Sequence, residues 1–215
     1  ISSKSLSPDI QLLSNLDLPD RVVNIQGLVY SGKSVWSGAS GAYSDANWSS
    51  WQHLGGIPGI DGTYSVGDTA TFNGSSAQSI VVTGINPELA SITFANSVGT
   101  TLSSAASEKF ILGTGVLLAE IQTQLGTNVI SSGIDLAKSL RVTTAAGSSL
   151  ALSGALVNTG TAIGVEFTGS GVANLGSAFT GPKLNFTLSG GTLNTSVNQA
   201  FGTGTFTSGT MDAPS

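Results

Sequence analysis

The chain has no cysteine. That excludes a disulfide framework, a thiolate metal site and a thiol nucleophile. It suits an exported bacterial protein better than a small eukaryotic secreted domain, which leans on disulfides. Charge is nearly as scarce. Only 9% of residues are charged, the seven Lys and Arg are scattered singly, and the formal net charge is −5. Nucleic-acid binding needs clustered cations to neutralise phosphates, so that class is excluded. Histidine occurs once, at His53. A Ser-His-Asp triad would have to use it, yet no G-x-S-x-G elbow frames a serine, and His53 reads as a loop residue. No apolar run approaches the roughly 20 residues that span a bilayer as a helix. The two-residue hairpin pairs Asn-Gly and Asp-Gly occur only at Asn73-Gly74 and Asp61-Gly62, which counts against a fold built of tight hairpins. The chain opens at Ile1 rather than Met, as a processed or excised chain would.

What is abundant is glycine, serine and threonine, with Val, Ile, Leu and Phe recurring throughout. Disordered chains are poor in those apolar types, so ordered β structure is expected. Short β-like runs fall at Thr69-Phe72, Ser79-Thr83, Ser91-Ala95, Lys109-Leu112, Val116-Ile121, Asn128-Ile130, Ser139-Thr143, Ser149-Ser153, Gly164-Thr168, Lys183-Leu188 and Gly204-Thr207. Their centres lie about 9 to 17 residues apart, the rhythm of an all-β domain. Many alternate strictly, as in Leu184-Asn-Phe186-Thr-Leu188, which puts apolar residues on one face and hydroxyls on the other. Ser-Gly, Thr-Gly and Gly-Gly joints bend a chain by part of a turn and let it run on. The fold class read from this is all-β, and the forward-running joints suit a solenoid with an N-terminal cap or arm. A β-sandwich or jelly roll is the alternative. Two or three strands per coil give roughly five or six coils, each stacking on its neighbours. Phe94, Ile111, Leu152, Phe167 and Phe186 are the expected core. Residues 1–34 form the cap or assembly arm and 35–215 the β-helical body. Ala105-Ala-Ser-Glu-Lys109 has the makings of a helical turn, and Leu117 to Leu125 has helical propensity within a strand reading.

One stretch holds all three tryptophans and the histidine: Trp36-Ser-Gly, Asp45-Ala-Asn-Trp48, Trp51, Pro58-Gly-Ile-Asp61-Gly and Val66-Gly-Asp68-Thr-Ala-Thr-Phe72. Near the other end come Leu188-Ser-Gly-Gly-Thr-Leu193 and Asn198-Gln-Ala-Phe-Gly202-Thr-Gly-Thr-Phe206. This pattern resembles bacterial surface proteins built from autotransporter-associated β-strand repeats. The resemblance covers residues 35–92 and 184–211, and the middle agrees in composition alone. It implies a β-helix outside the cell and no particular chemistry, and it supplies much of the weight by which a right-handed parallel β-helix (solenoid) is favoured over the sandwich or jelly roll.

The candidate sites are few. Trp36, Tyr43, Trp48 and Trp51 either pack the first coil or form a platform on which a sugar stacks. Buried indoles at loop edges usually do the former. Asp61 and Asp68 offer hard oxygens to a calcium ion, although EF-hand spacing is missing. Glycoside chemistry needs paired carboxylates. Asp45, Asp61 and Asp68 are close in sequence, but Lys109, Lys138, Arg141 and Lys183 are too scattered to build the cationic partner of a lyase site. No cofactor is expected beyond that calcium. Arg21-Val22-Val23-Asn24-Ile25 and Leu28-Val29-Tyr30 have strand character ahead of the body and are candidates for pairing with a neighbouring copy. The expected function is non-enzymatic: a structural or adhesive protein, extracellular or on the bacterial surface, joining itself end to end into a fibre, with polysaccharide as a further partner. A carbohydrate-binding module using the Trp36–Trp51 loops is the alternative.

Overall fold

The computed structural model describes residues 32–49, 57–60, 67–159, 164–182 and 184–213. Among them there is no helix, and the named strands pair in parallel, with one isolated antiparallel bridge between Trp36 and Trp48. The expected β-helix is what forms, a solenoid of about six turns. The sandwich alternative would have required antiparallel ladders. Residues 1–31, with Arg21 to Tyr30, lie outside the described residues, as do Trp51, His53 and Asp61.

Each coil lays strands on three faces. The first face stacks β1 (Lys33–Trp36), β3 (Thr69–Phe72), β6 (Ser91–Phe94), β9 (Leu118–Thr123), β12 (Ser139–Thr144) and β15 (Gly164–Gly169). The second stacks β2 (Gly41–Ala42), β4 (Gln78–Val82), β7 (Thr100–Ser104), β10 (Thr127–Ile130), β13 (Ser149–Leu152) and β16 (Val172–Leu175). The third stacks β5 (Glu88–Leu89), β8 (Lys109–Leu112), β11 (Gly133–Leu136), β14 (Leu156–Asn158) and β17 (Phe179–Thr180). The long strands β18 (Asn185–Thr195) and β19 (Gly204–Asp212) run across the first two faces and join them. Thr69 pairs with Ser91 and Ser149 with Val172, so the same position returns after one coil.

Alternation in sequence becomes columns in space. Ser34, Ala70, Ile92, Ile121, Val142, Phe167, Leu188 and Phe206 are in register from rung to rung. On the second face the column is Ile80, Leu102, Ile130, Leu152 and Leu175. Phe94, Leu152, Phe167 and Phe186 are buried as expected. Ile111 is not. In β8 the inward residues are Phe110 and Leu112, and Ile111 faces outward, half-buried. With Lys109-Phe-Ile-Leu112 apolar at three successive positions, the sequence leaves the parity of this strand open, and a shift of one exchanges the faces. Ala105 to Glu108 form a bend rather than a helical turn, and the run from Leu117 contributes the strand β9.

The corner between the first and second faces varies in length, from residues 37–40 in the first coil through 73–77, 95–99, 124–126 and 145–148 to 170–171, the shortest, and β18 crosses it as one continuous strand. The wide corners are filled by buried amides. Asn96 Oδ1 accepts the Val98 and Gly99 N–H groups and its Nδ2 donates to the Ser76 carbonyl. Asn128 Oδ1 accepts the Thr100 N–H at 2.9 Å and its Nδ2 donates to the Leu125 carbonyl at 2.7 Å. These side chains satisfy backbone groups that the corner leaves without a ladder partner. The narrow corners have room only for backbone: a Cβ on Gly169 (φ 101°) would run into the Thr144 carbonyl oxygen, and one on Gly209 (φ 104°) would approach that of Gly191.

Candidate functional site

Three places combine polar or aromatic groups densely enough to be weighed as sites. The first is the N-terminal aromatic cluster. Trp36 follows the inward alternation of β1, while Tyr43 and Trp48 come from the loop after β2 and turn back beneath it. Trp48 packs edge-on against Trp36, Tyr43 and Phe72, with ring centroids 5.3, 4.9 and 5.5 Å away, and Phe72 stacks on Phe94. Each polar tip is engaged inside the chain. Trp36 Nε1 donates to the Ala39 carbonyl, Trp48 Nε1 to the Tyr43 carbonyl and Tyr43 Oη to the Pro58 carbonyl. Exposure is 0% for Trp36 and Tyr43 and 2% for Trp48. A sugar platform needs an open ring face, and none of these three rings offers one.

Asp68 belongs to the same end. It is buried, and Oδ2 accepts the Gly59 N–H at 2.9 Å. The Gly59 carbonyl in turn accepts the Glu88 N–H at 2.8 Å. Residues 57–60 therefore occupy the third face of the first coil, held by a carboxylate from below and by the Tyr43 hydroxyl from the side. Among the described residues no three metal-ligating side chains come together.

The second place is a charged row on the outside of the first face. Glu120, Arg141 and Glu166 occupy one register position in three consecutive rungs. Arg141 Nε donates to Glu166 at 2.8 Å and its guanidinium lies 3.8 Å from Glu120. Ser189 Oγ donates to the other oxygen of Glu166. The hydrogen bonds from Arg141 and Ser189 hold the Glu166 carboxyl below the usual glutamate range, and Glu166 raises Arg141 in return. These groups are partly exposed, and the guanidinium between the two carboxylates braces adjacent rungs. Parallel stacking would place three like charges 4.7–4.9 Å apart, and alternating their sign turns repulsion into cohesion.

The third is a groove of about 330 Å³ at the border of the second and third faces, lined by Ser104, Ser107, Lys109, Ser131, Asp135 and Val157 among others. Lys109 Nζ is ion-paired with Asp135, whose side chain is 11% exposed. Glu108 also lines the groove. Its oxygens accept the Gly84 and Ala106 N–H groups, which lower its pKa. Sequence reading missed both the row and the groove, although the signal was present. Glu120, Arg141 and Glu166 sit at corresponding outward positions of Leu118-Ala-Glu-Ile, Ser139-Leu-Arg-Val and Gly164-Val-Glu-Phe. Only the coil register reveals the correspondence.

Among the described residues no helix is long and apolar enough to cross a membrane. Set against protein-family models, curated proteins and solved structures, the chain matches none.

Proposed function

We propose that this chain is a non-enzymatic structural or adhesive segment that works outside the cell, on a bacterial surface or in its matrix, and that it joins copies of itself at its ends. The observation that carries the reading is the use the solenoid makes of its charged side chains, which brace it: Asp68 on the Gly59 amide, Glu108 on loop amides, Arg141 between two glutamates, Lys109 on Asp135. A parallel stack leaves ladder groups unpaired on whichever rungs are outermost, and such a row is a template for another strand. The resemblance to autotransporter-associated repeats supports the bacterial and extracellular parts of the reading.

Negative-stain electron microscopy combined with light scattering tests it. Particles longer than one solenoid, in proportion to a mass above that of one chain, are the expected result. Cleavage of a bacterial or plant polysaccharide by the purified chain would overturn the non-enzymatic assignment.

A further inference from the structure

We propose that the groove at the border of the second and third faces binds a short stretch of a neutral polysaccharide, with Lys109 and Asp135 at its centre as the hydrogen-bonding pair. This rests on the reading of the chain as an adhesive segment and names the class of partner it adheres to.

The groove is a step in the stack. The connector from the second face to the third takes residues 83–87 and 105–108 in two successive coils, then only 131–132 and 153–155 in the next two. The two long connectors stand out as a wall, and the two short ones leave a recess beside it. The wall is latched. Glu108 accepts the Gly84 and Ala106 N–H groups, and Asn86 Oδ1 accepts the Lys109 N–H. Bonds of this kind set the shape before a ligand arrives, which lowers the ordering cost of binding.

Small residues keep the floor low. Lys109 is in register with Gly133, and Ala155, just before the Leu156 that pairs with Ile134, continues the column. Lys109 therefore extends across Gly133 to its ion pair with Asp135, two residues further on. Asp135 is buried, flanked in register by Ile111 and Val157. The recess runs over three rungs, a span of about 10 Å along the axis. Its volume of about 330 Å³ is at the small end for ligand sites. Those dimensions suit a short run of sugar rings in a chain lying along the solenoid.

The balance of donors and acceptors selects the ligand. Ser104 Oγ and Ser131 Oγ already donate to the Ala106 and Leu102 carbonyls, so they offer a ligand their lone pairs. A carboxylate has about four lone-pair sites, and Lys109 engages one oxygen of Asp135. The lining is thus richer in acceptors than in donors. Hydroxyls that donate fit it, and ligands made of acceptors alone, such as phosphate or sulfate, do not. Two carboxylates, Glu108 and Asp135, stand against one ammonium, Lys109, which opposes an acidic glycan as well. A cationic chain would have to displace the Lys109 ammonium from Asp135 against like charge. A neutral polyol meets none of these penalties. Its C–H groups rest on Ala155 and Val157 while its hydroxyls reach the polar rim.

Affinity gel electrophoresis tests this, with dextran, mannan, galactan and xylan as neutral probes and polygalacturonate as the acidic one. At least one neutral probe is expected to retard the chain, and polygalacturonate is expected not to. Gly133→Ile fills the floor. A Cβ there meets Lys109 Cβ at 3.4 Å and the Ala155 carbonyl oxygen at 3.7 Å, ordinary contacts that the fold accommodates. It is expected to abolish retardation, and Ala155→Ile, one rung on in the same column, is expected to do the same. Gly164→Ile, the same exchange at an equally open outward position of the first face, is expected to leave retardation unchanged. Asp135→Asn is expected to weaken binding about tenfold, as loss of bonds to a charged acceptor does, with an unchanged circular dichroism spectrum. No retardation by any neutral probe overturns the proposal, and so does retardation that persists in both filled variants or is lost equally in Gly164→Ile. A chain that is not retarded yet associates end to end loses this site and keeps the structural reading. New reducing ends in the retarded mixtures would remove the non-enzymatic assignment and leave the groove as the binding site.

Discussion

Trp48 shows at the scale of one residue how the N-terminal end is held. Its ring touches Trp36, Tyr43 and Phe72, and its N–H closes the turn through the Tyr43 carbonyl. Replacing a buried indole with alanine removes those contacts and leaves a cavity that rigid rungs cannot fill. Trp48→Ala is therefore expected to cost about 3–5 kcal/mol of stability, read as a lower midpoint in denaturant with an unchanged slope. The motif Asp45-Ala-Asn-Trp48 was legible as a packing element, because a large aromatic beside turn residues has few other uses. What the sequence could not show was which way each ring turns. Tyr43 reaches the Pro58 carbonyl across a stretch of chain whose path depends on the whole first coil.

At the scale of the element, the third face gives the sharpest contrast between pattern and structure. Thr69-Ala-Thr-Phe72 and Ser149-Leu-Ala-Leu152 alternate, and their inward residues could be named from the sequence. Lys109-Phe-Ile-Leu112 does not alternate, and its parity is fixed by register: Phe110 meets Ile134 and Leu112 meets Leu136 in the next coil. The two candidates predict opposite mutational costs. Leu112→Ala is expected to destabilise by about 2–5 kcal/mol and Ile111→Ala by about 1 kcal/mol, in keeping with partial burial. Thermal or chemical denaturation of the two variants side by side checks the parity, and equal losses would place both side chains in the core. The short strands of this face, Glu88–Leu89, Leu156–Asn158 and Phe179–Thr180, escaped the sequence for a related reason. A strand of two or three residues carries no period, and only its neighbours above and below make it one.

For the whole molecule, apolar alternation and turn spacing made an all-β fold legible, and the shortage of hairpin pairs together with the resemblance to autotransporter-associated repeats favoured a parallel β-helix over a sandwich. The candidate sites were less so. Hydroxyl-rich outer faces look alike in sequence whether they are bare or braced, and the row Glu120, Arg141 and Glu166 acquires meaning only when three coils are laid in register. The varying corner was invisible too, since a turn of five residues and a turn of two both read as turns. Its consequence reaches into how such a gene could lengthen. A coil copied by unequal recombination beside its parent inherits neighbours of matching width, while the same coil moved to the far end does not. Tandem duplication of residues 118–138, whose corner is residues 124–126, is expected to leave the melting temperature within a few degrees of the parent. The same insert placed before Asn185, between a corner of residues 170–171 and none, is expected to lower it markedly, and equal melting temperatures would show that width does not matter. On that expectation, corner width restricts where along the solenoid repeats can multiply, and growth by duplication stays local.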